Sequence, residues 1–187
     1  NFMAKFPQVN LSLLNGNSRE IEAALQEHRI DLGLVEGICR LPNLRYTTFL
    51  QDELVAVVHT GSKLSLPDEI TPEDLSRIPL VLRERGSGTL DVFERALSEH
   101  NMKLSSLNVL LYLGSTESIK LFLEHTDCIG IVSIRSISRE LLSGTFRVIE
   151  IKGMPMLREF CFAQPQGQES GLSQVLMQFA MHHNKKL

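Results

Sequence analysis

The chain has 187 residues, of which 43% are hydrophobic and 22% are charged, and its formal net charge at pH 7 is −3. Such a chain can bury a core as one domain or as two small lobes. Its sequence pI near 6.1 excludes a basic surface that would neutralise DNA phosphates. Any DNA contact would therefore need a part that is absent from this chain.

The cysteine spacing and the lengths of the apolar runs argue against metal sites, disulfide frameworks and membrane spans. Cys39, Cys128 and Cys161 are far apart and form no Cys-x-x-Cys pair, which argues against a zinc site and a disulfide framework. We expect no metal and no cofactor, and the pattern fits a reducing cytoplasm. Because no apolar run approaches the roughly 18–20 residues of a membrane span, we expect no membrane contact.

The N-terminal part predicts the end of a helix followed by a strand–helix–strand unit. Apolar residues at helical spacing over Phe2–Phe6 indicate the helix end. Val9–Leu14 alternates as a strand does. Asn17 with Glu20 is predicted to cap a helix in which four residues share one face: Ile21, Ala24, Leu25 and His28. Residues 30–35 predict the second strand, and this order favours a parallel pair.

The rest of the chain predicts alternating strands and helices. Leu44–Thr60 carries two extended stretches, which we interpret as a crossing into a second lobe. Thr71–Asp74 is a helix start with a hydroxyl cap and a proline at the first helical position. Further strands are predicted at residues 80–82, 109–113, 128–134, 146–151 and 160–163, and helices at residues 90–97, 119–123, 136–142 and 172–180.

Three strand-to-helix turns are rich in small and hydroxyl residues: Gly16–Ser18, Gly86–Thr89 and Gly114–Thr116. In an open parallel sheet such turns lie at the carboxyl ends of the strands, where ligands bind. Each turn offers unpaired N–H groups and a helix dipole, worth roughly 0.3–1 kcal/mol to an anion. The alternative is that the polar residues of these turns are only helix caps.

The candidate effector-binding residues are Glu36, Ser87, Gly88, Thr89, Ser115, Thr116 and Glu117. The glycines beside Ser87 favour the Gly86–Thr89 turn, because they let the backbone approach a ligand. Glu36 is either an acceptor at a pocket mouth or a solvated turn carboxylate. Glu117 can serve a ligand or only the helix dipole.

No motif indicates catalysis. A Gly-x-Ser-x-Gly elbow, a His-Glu-x-x-His pair and a phosphate-binding loop are all absent from the sequence. Cys39 near Glu36 is a conceivable thiol site, but a small buried thiol is the commoner role. Arg83 and Arg85 could pair with an anion, but they bracket Glu84 and more often form a surface ion-pair cluster. We therefore expect no catalytic residues.

The ordered set of weak motifs resembles the effector domain of LysR-type transcriptional regulators. The resemblance rests on five stretches, in this order: residues 30–37, 53–59, 70–75, 114–117 and 128–131. It covers essentially the whole chain. Two departures are Cys128-Ile129-Gly130, where the family usually has Gly-x-Gly, and a missing proline after that strand. Residues 83–89 with Glu36, Gly37 and Cys39 resemble the branch linked to sulfur anions.

The resemblance implies an α/β fold with two Rossmann-like lobes, like a type-2 periplasmic binding protein, and an effector cleft between them. Lobe one would comprise residues 1–57 and 157–187 with its first strand missing, and lobe two residues 58–156. It further implies a homodimer or homotetramer that binds DNA through a winged helix-turn-helix absent from this chain. The family's cleft contacts map onto the candidate residues given above.

These observations predict the regulatory domain of a cytoplasmic bacterial transcription regulator that senses a small, anionic metabolite. The alternative is a solute-binding protein of a transporter with the same two-lobe fold, which an upstream signal peptide would support. An enzyme on this scaffold would need a catalytic residue that projects into the cleft.

Overall fold

The structure is a computed structural model that describes residues 2–36, 41–167 and 171–184. Its helices are α1 (Phe2–Lys5), α2 (Ser18–Gln26), α3 (Gly88–Glu99), α4 (Thr116–His125), α5 (Ser138–Leu142) and α6 (Gly171–Asn184). Its strands are β1 (Gly33–Glu36), β2 (Leu44–His59), β3 (Glu69–Ile70), β4 (Leu80–Arg83), β5 (Val109–Leu113), β6 (Ile129–Ser133), β7 (Phe146–Ile151) and β8 (Met156–Pro165). Short 3-10 helices span Pro72–Ser76, Leu104–Ser106 and Ile134–Ile137.

The chain forms two compact units. The first holds the described residues within 1–35, 39–50 and 160–187, and the second holds those within 36–38 and 51–159. Two long strands, β2 and β8, contribute residues to both units. The lobe limits given above remain a prediction.

In the first unit, α2 packs on a small sheet in which β8 lies between β1 and β2. Its core is formed by Ile21, Leu25, Val35, Leu44 and Ala163. The predicted cap is confirmed, because the Asn17 side chain accepts from the Glu20 backbone N–H and Glu20 accepts from that of Asn17. His28, expected on the buried face, instead lies beyond the helix end with φ +53°.

The strand predicted at Val9–Leu14 is wrong, and with it the predicted parallel pair in this unit. No strand forms over these residues, and Leu13 is 95% exposed. A strand is stable only where a neighbour completes its backbone hydrogen bonds, and β1 lies beside β8 instead. The segment borders a cavity of about 590 Å³ within this unit.

In the second unit, helices cover both faces of a mixed sheet. β4 is parallel to β5 and β6, while β2 pairs antiparallel with β6 and β7. Because side chains alternate along a strand, Leu80 and Leu82 of β4 join the core under α3, and Val81 joins the core under α4. The predicted α/β class is confirmed.

Other elements differ from the predictions in length. The start at Thr71 is confirmed, with a capping box to Asp74, but it opens a 3-10 helix of only five residues. β2 is one continuous strand of 16 residues, and β8 has 10 residues where four were predicted. In α6 the buried residues are Ser173 and Met177. The apolar residues predicted to share one face of this helix are half-buried or exposed: Leu172, Val175, Leu176, Phe179 and Ala180.

Candidate functional site

The carboxyl ends of three parallel strands meet at one edge of the second unit's sheet. Arg83 of β4 pairs with Leu113 of β5, and β6 runs parallel to β4 on its other side. Each strand is followed by a serine that caps the next helix: Ser87, Ser115 and Ser133. The first two were predicted. Ser133 was missed, although a serine where a buried strand gives way to a helix is the same signal.

The turn before α3 is buried and closely packed. Ser87 is 0% exposed, and its hydroxyl accepts the Thr89 backbone N–H at 3.2 Å. Gly86 has φ +91°, a conformation that favours glycine. A Cβ added at Gly88 would lie 2.1 Å from the backbone oxygen of Glu36. Gly88 therefore admits a neighbouring segment of the chain against the start of α3.

That neighbour is the end of β1, whose Glu36 side chain is held by two donors. The Thr89 hydroxyl donates to Glu36 Oε1 at 3.2 Å, and Arg158 Nη1 lies 2.5 Å from Glu36 Oε2. The Glu36 side chain is 17% exposed. Of the two roles considered for Glu36, the solvated turn carboxylate is therefore wrong.

Arg158 is the centre of this arrangement, and sequence reasoning did not identify it. Its Nε and Nη2 each donate to Asp52 Oδ2 at 2.8 Å, and its Nη1 donates to the Thr89 hydroxyl at 3.0 Å. Ser133 donates to the other Asp52 oxygen at 2.8 Å. We call Glu36, Asp52, Thr89, Ser133 and Arg158 the Arg158 cluster.

Burial and charge define what the Arg158 cluster can do. The side chains of Arg158 and Asp52 are 3% and 0% exposed. Arg135 adds a second, more exposed cation 3.9 Å from Asp52. Charge-assisted hydrogen bonds are strong when they are shielded from water. A buried guanidinium and a hydroxyl beside the start of a 12-residue helix can hold the oxygens of a carboxylate or another oxyanion.

The turn before α4 has a different environment. The Ser115 hydroxyl accepts the Ser118 backbone N–H at 3.1 Å, while Thr116 is half-buried and Glu117 is exposed. Glu117 binds Lys120 at 3.0 Å, and Lys120 also binds Glu140 at 2.6 Å. A Cβ added at Gly114 would meet nothing within 4 Å.

The pKa values of this second group follow from its ion pairs. Burial lowers the pKa of Lys120, but its hydrogen bonds to Glu140 and Glu117 outweigh that effect, so the pKa lies above its ordinary value. The hydrogen bond from Lys120 lowers the pKa of Glu140. The group is therefore a set of ion pairs that is stable at neutral pH.

The remaining candidate residues have structural roles or lie outside the described residues. Arg83 pairs with Glu84 at 2.8 Å, in line with the ion-pair interpretation. Cys39 lies outside the described residues. Burial raises the pKa of the Cys128 thiol to about 11, which makes this thiol unreactive at neutral pH.

The described residues contain neither a candidate metal site nor a helix that could span a membrane. Within residues 2–36, 41–167 and 171–184, no group of three or more His, Cys, Asp or Glu side chains could hold a metal ion. In the same ranges no helix is both long and apolar enough to span a bilayer.

Known proteins are similar to this chain in sequence and in fold. The Escherichia coli K12 HTH-type transcriptional regulator YeiE is 33% identical over 146 residues, which cover 78% of this chain and 48% of that protein. The chain thus spans about half the length of this relative. The regulatory domain of Synechocystis PCC6803 CcmR, solved in complex with 2-PG, matches with a TM-score of 0.85 and 25% identity, covering 100% of this chain and 88% of that one.

A transporter protein shares the fold alone. A phosphate ABC transporter substrate-binding protein from Clostridium perfringens, with bound phosphate, matches with a TM-score of 0.77 and 16% identity, over 95% of this chain and 84% of that one. These likenesses confirm the resemblance to a periplasmic-binding-protein fold. The sequence model described as the LysR substrate binding domain matches residues 1–185. The chain therefore belongs to the LysR substrate binding domain family.

Proposed function

We propose that this chain is the effector-sensing domain of a LysR-type transcriptional regulator and that its effector is a small oxyanion. The observation that carries the proposal is the Arg158 cluster, which places a buried guanidinium and the Thr89 hydroxyl at the start of α3. The similarity to a regulatory domain described as bound to 2-PG supports a small ligand. A sulfur oxyanion remains one candidate.

The proposed contacts come from two neighbouring turns. Ser87, Gly88 and Thr89 form one side, where Glu36 is held against Thr89. Ser115, Thr116 and Glu117 form the other. Because Arg83 pairs with Leu113, the strands that lead into the two turns end side by side. An effector that binds one conformation better than another would shift the population toward it.

The regulator's assembly and location form part of the same proposal. We propose a homodimer or homotetramer in the cytoplasm that binds DNA through a winged helix-turn-helix outside this chain. The similarity to a longer protein described as an HTH-type transcriptional regulator supports the helix-turn-helix part of this proposal. We also propose that the domain binds its effector without catalysing a reaction.

A further part of the proposal concerns the first unit. We propose that the predicted missing first strand completes this unit beside residues 9–14. The cavity of about 590 Å³ supports this placement, because residues 9–14 and β1 both border it. In the described sheet β1 is the last strand of the order, so its outer edge is where an added strand could pair.

The first test is a thermal-shift screen of this chain against sulfite, sulfate, small carboxylates and amino acids. A ligand that binds the folded state raises the melting temperature as its concentration increases. We expect a selective rise with one anionic class. A selective response to uncharged or cationic compounds would contradict the oxyanion proposal.

The second test places the effector. Ser87→Ala and Ser115→Ala each remove one hydroxyl at the proposed site, while Ser98→Ala removes an exposed hydroxyl elsewhere on α3. We expect weaker binding of the effector to one or both of the first two variants, and unchanged binding to the third. Unchanged affinity in all three would show that the pocket lies elsewhere.

A further inference from the structure

Arg158 contacts two carboxylates, although one would neutralise it. Asp52 binds both Nε and Nη2 through a single oxygen, and its side chain is fully buried. Glu36 binds the remaining terminal nitrogen, Nη1. Removing a second carboxylate from water is costly. Asp52 also lies 3.9 Å from Arg135, whereas Glu36 joins the cluster through Arg158 and the Thr89 hydroxyl. Glu36 is therefore the second carboxylate on one buried guanidinium.

The two Glu36 oxygens occupy positions that the oxygens of a bound anion would take. One oxygen accepts from the Thr89 hydroxyl and the other lies against Arg158. Both donors are next to the N-terminal end of α3, where the helix dipole favours negative charge. Gly88 lets the Glu36 backbone approach this position, since a Cβ there would overlap it.

The two carboxylates differ in how firmly they are held. Asp52 is 0% exposed at its side chain and also accepts from Ser133 at 2.8 Å. The Glu36 side chain retains 17% exposure, and its bond from Thr89 is longer, at 3.2 Å. Glu36 can therefore regain water with a side-chain rotation, whereas Asp52 cannot do so without opening the core.

We propose that Glu36 is an internal occupant of an oxyanion subsite and that it exchanges with the carboxylate, sulfate or phosphate group of the effector. In this exchange Arg158 and Thr89 transfer their hydrogen bonds from Glu36 to the ligand, while Asp52 continues to orient Arg158. The inference rests on the proposed sensing function and adds which group occupies the subsite when no effector is bound. Competition with Glu36 weakens the binding of simple anions.

The test is calorimetric titration of the chain with sodium sulfate, sodium phosphate and sodium acetate. Glu36→Gln keeps the size of the side chain but removes the competing charge, and Glu36→Ala removes the occupant itself. The matched control is Glu94→Gln, which removes the same charge from an exposed position on α3. Melting temperatures without added anion show whether each variant is folded.

We expect Glu36→Gln to bind at least one of these anions about tenfold more tightly than the unaltered protein, because a competing charge-assisted contact is lost. Glu36→Ala should show a gain in the same direction. Glu94→Gln should stay within about twofold of the unaltered protein, since exposed charges are screened. Adding Thr89→Val to Glu36→Gln should abolish the gain.

Anion affinities of Glu36→Gln and Glu36→Ala no higher than that of Glu94→Gln would overturn the exchange. If the unaltered protein still responded to an anionic metabolite in the thermal screen, the sensing function would stand without the exchange. A gain in Glu36→Gln with no metabolite response would support the subsite and count against sensing. The two proposals can therefore fail separately.

Discussion

Two turns of the second unit look alike in the sequence but differ in the folded protein. The Gly86–Thr89 and Gly114–Thr116 turns both follow a parallel strand, contain glycine and supply a serine cap. The first is buried against Glu36 and Arg158, whereas the second faces solvent and its helix carries ion pairs around Lys120. The two caps are therefore alike. The residues packed against each turn decide whether a buried charge lies beside it.

This comparison shows that local sequence specifies a helix start but not its electrostatic environment. A cap depends on residues two or three positions apart. The Arg158 cluster joins distant parts of the chain: Thr89 is 69 positions from Arg158, and Asp52 is 106 positions from it. Variants matched between the two turns can test the difference.

The largest effect is expected from removal of the cation in each region. Arg158→Ala leaves two carboxylates without their buried partner and should lower the free energy of unfolding by about 3–5 kcal/mol. Lys120→Ala breaks more exposed pairs and should cost about 1 kcal/mol. Urea denaturation of both variants measures the difference. Equal losses would contradict the contrast between the two turns.

The next effect concerns the two glycines. Gly88→Ala places a Cβ 2.1 Å from the Glu36 backbone oxygen, so we expect a loss of about 1–3 kcal/mol from overpacking. Gly114→Ala meets nothing within 4 Å, and we expect a change within about 0.5 kcal/mol. Thermal and urea unfolding of the pair provides the measurement. A Gly88→Ala variant as stable as Gly114→Ala would show that Glu36 does not pack against α3.

The caps themselves should behave alike. Ser87→Ala and Ser115→Ala each remove a hydroxyl that accepts a backbone N–H, so each should cost about 1 kcal/mol. Urea unfolding of both variants at one pH measures these losses. A loss of several kcal/mol at Ser115 would mean that this turn, too, has a buried polar network.

The smallest effect is a pH dependence in the second turn's ion pairs. Because Lys120 lowers the pKa of Glu140, this carboxylate stabilises the fold above its unfolded pKa, and the contribution is lost as the pH falls through its folded pKa. Glu140→Gln should therefore be less stable than the unaltered protein at pH 7. The gap between the two should narrow under acid conditions. A gap that is constant with pH would contradict this ion pair.

Much of the fold could be predicted from periodicity and turn chemistry. The buried strands and the caps at Asn17, Thr71 and Ser87 depend on nearby residues, and the structure confirms them. The strand prediction for Val9–Leu14 failed because alternation is a strand pattern, but a strand also needs a neighbouring strand to pair with. The pattern along the chain cannot show whether that neighbour is present.

The candidate site could be predicted only in part. Glu36 and Thr89 were chosen from strand-end and turn positions, and the structure brings them together. Arg158 and Asp52 carry no local signal, because each lies within a strand sequence where a charged residue is expected to face solvent. Their burial follows from mutual pairing across distant segments, which no spacing rule reveals.

The most direct test is to follow backbone amide resonances of the ¹⁵N-labelled chain during a titration with the anion selected by the thermal screen. The proposed site predicts that the largest shifts occur at Gly88 and Thr89, with smaller ones at Thr116. Shifts confined to Thr116, or to residues of the first unit, would contradict the assignment of the Arg158 cluster as the effector site.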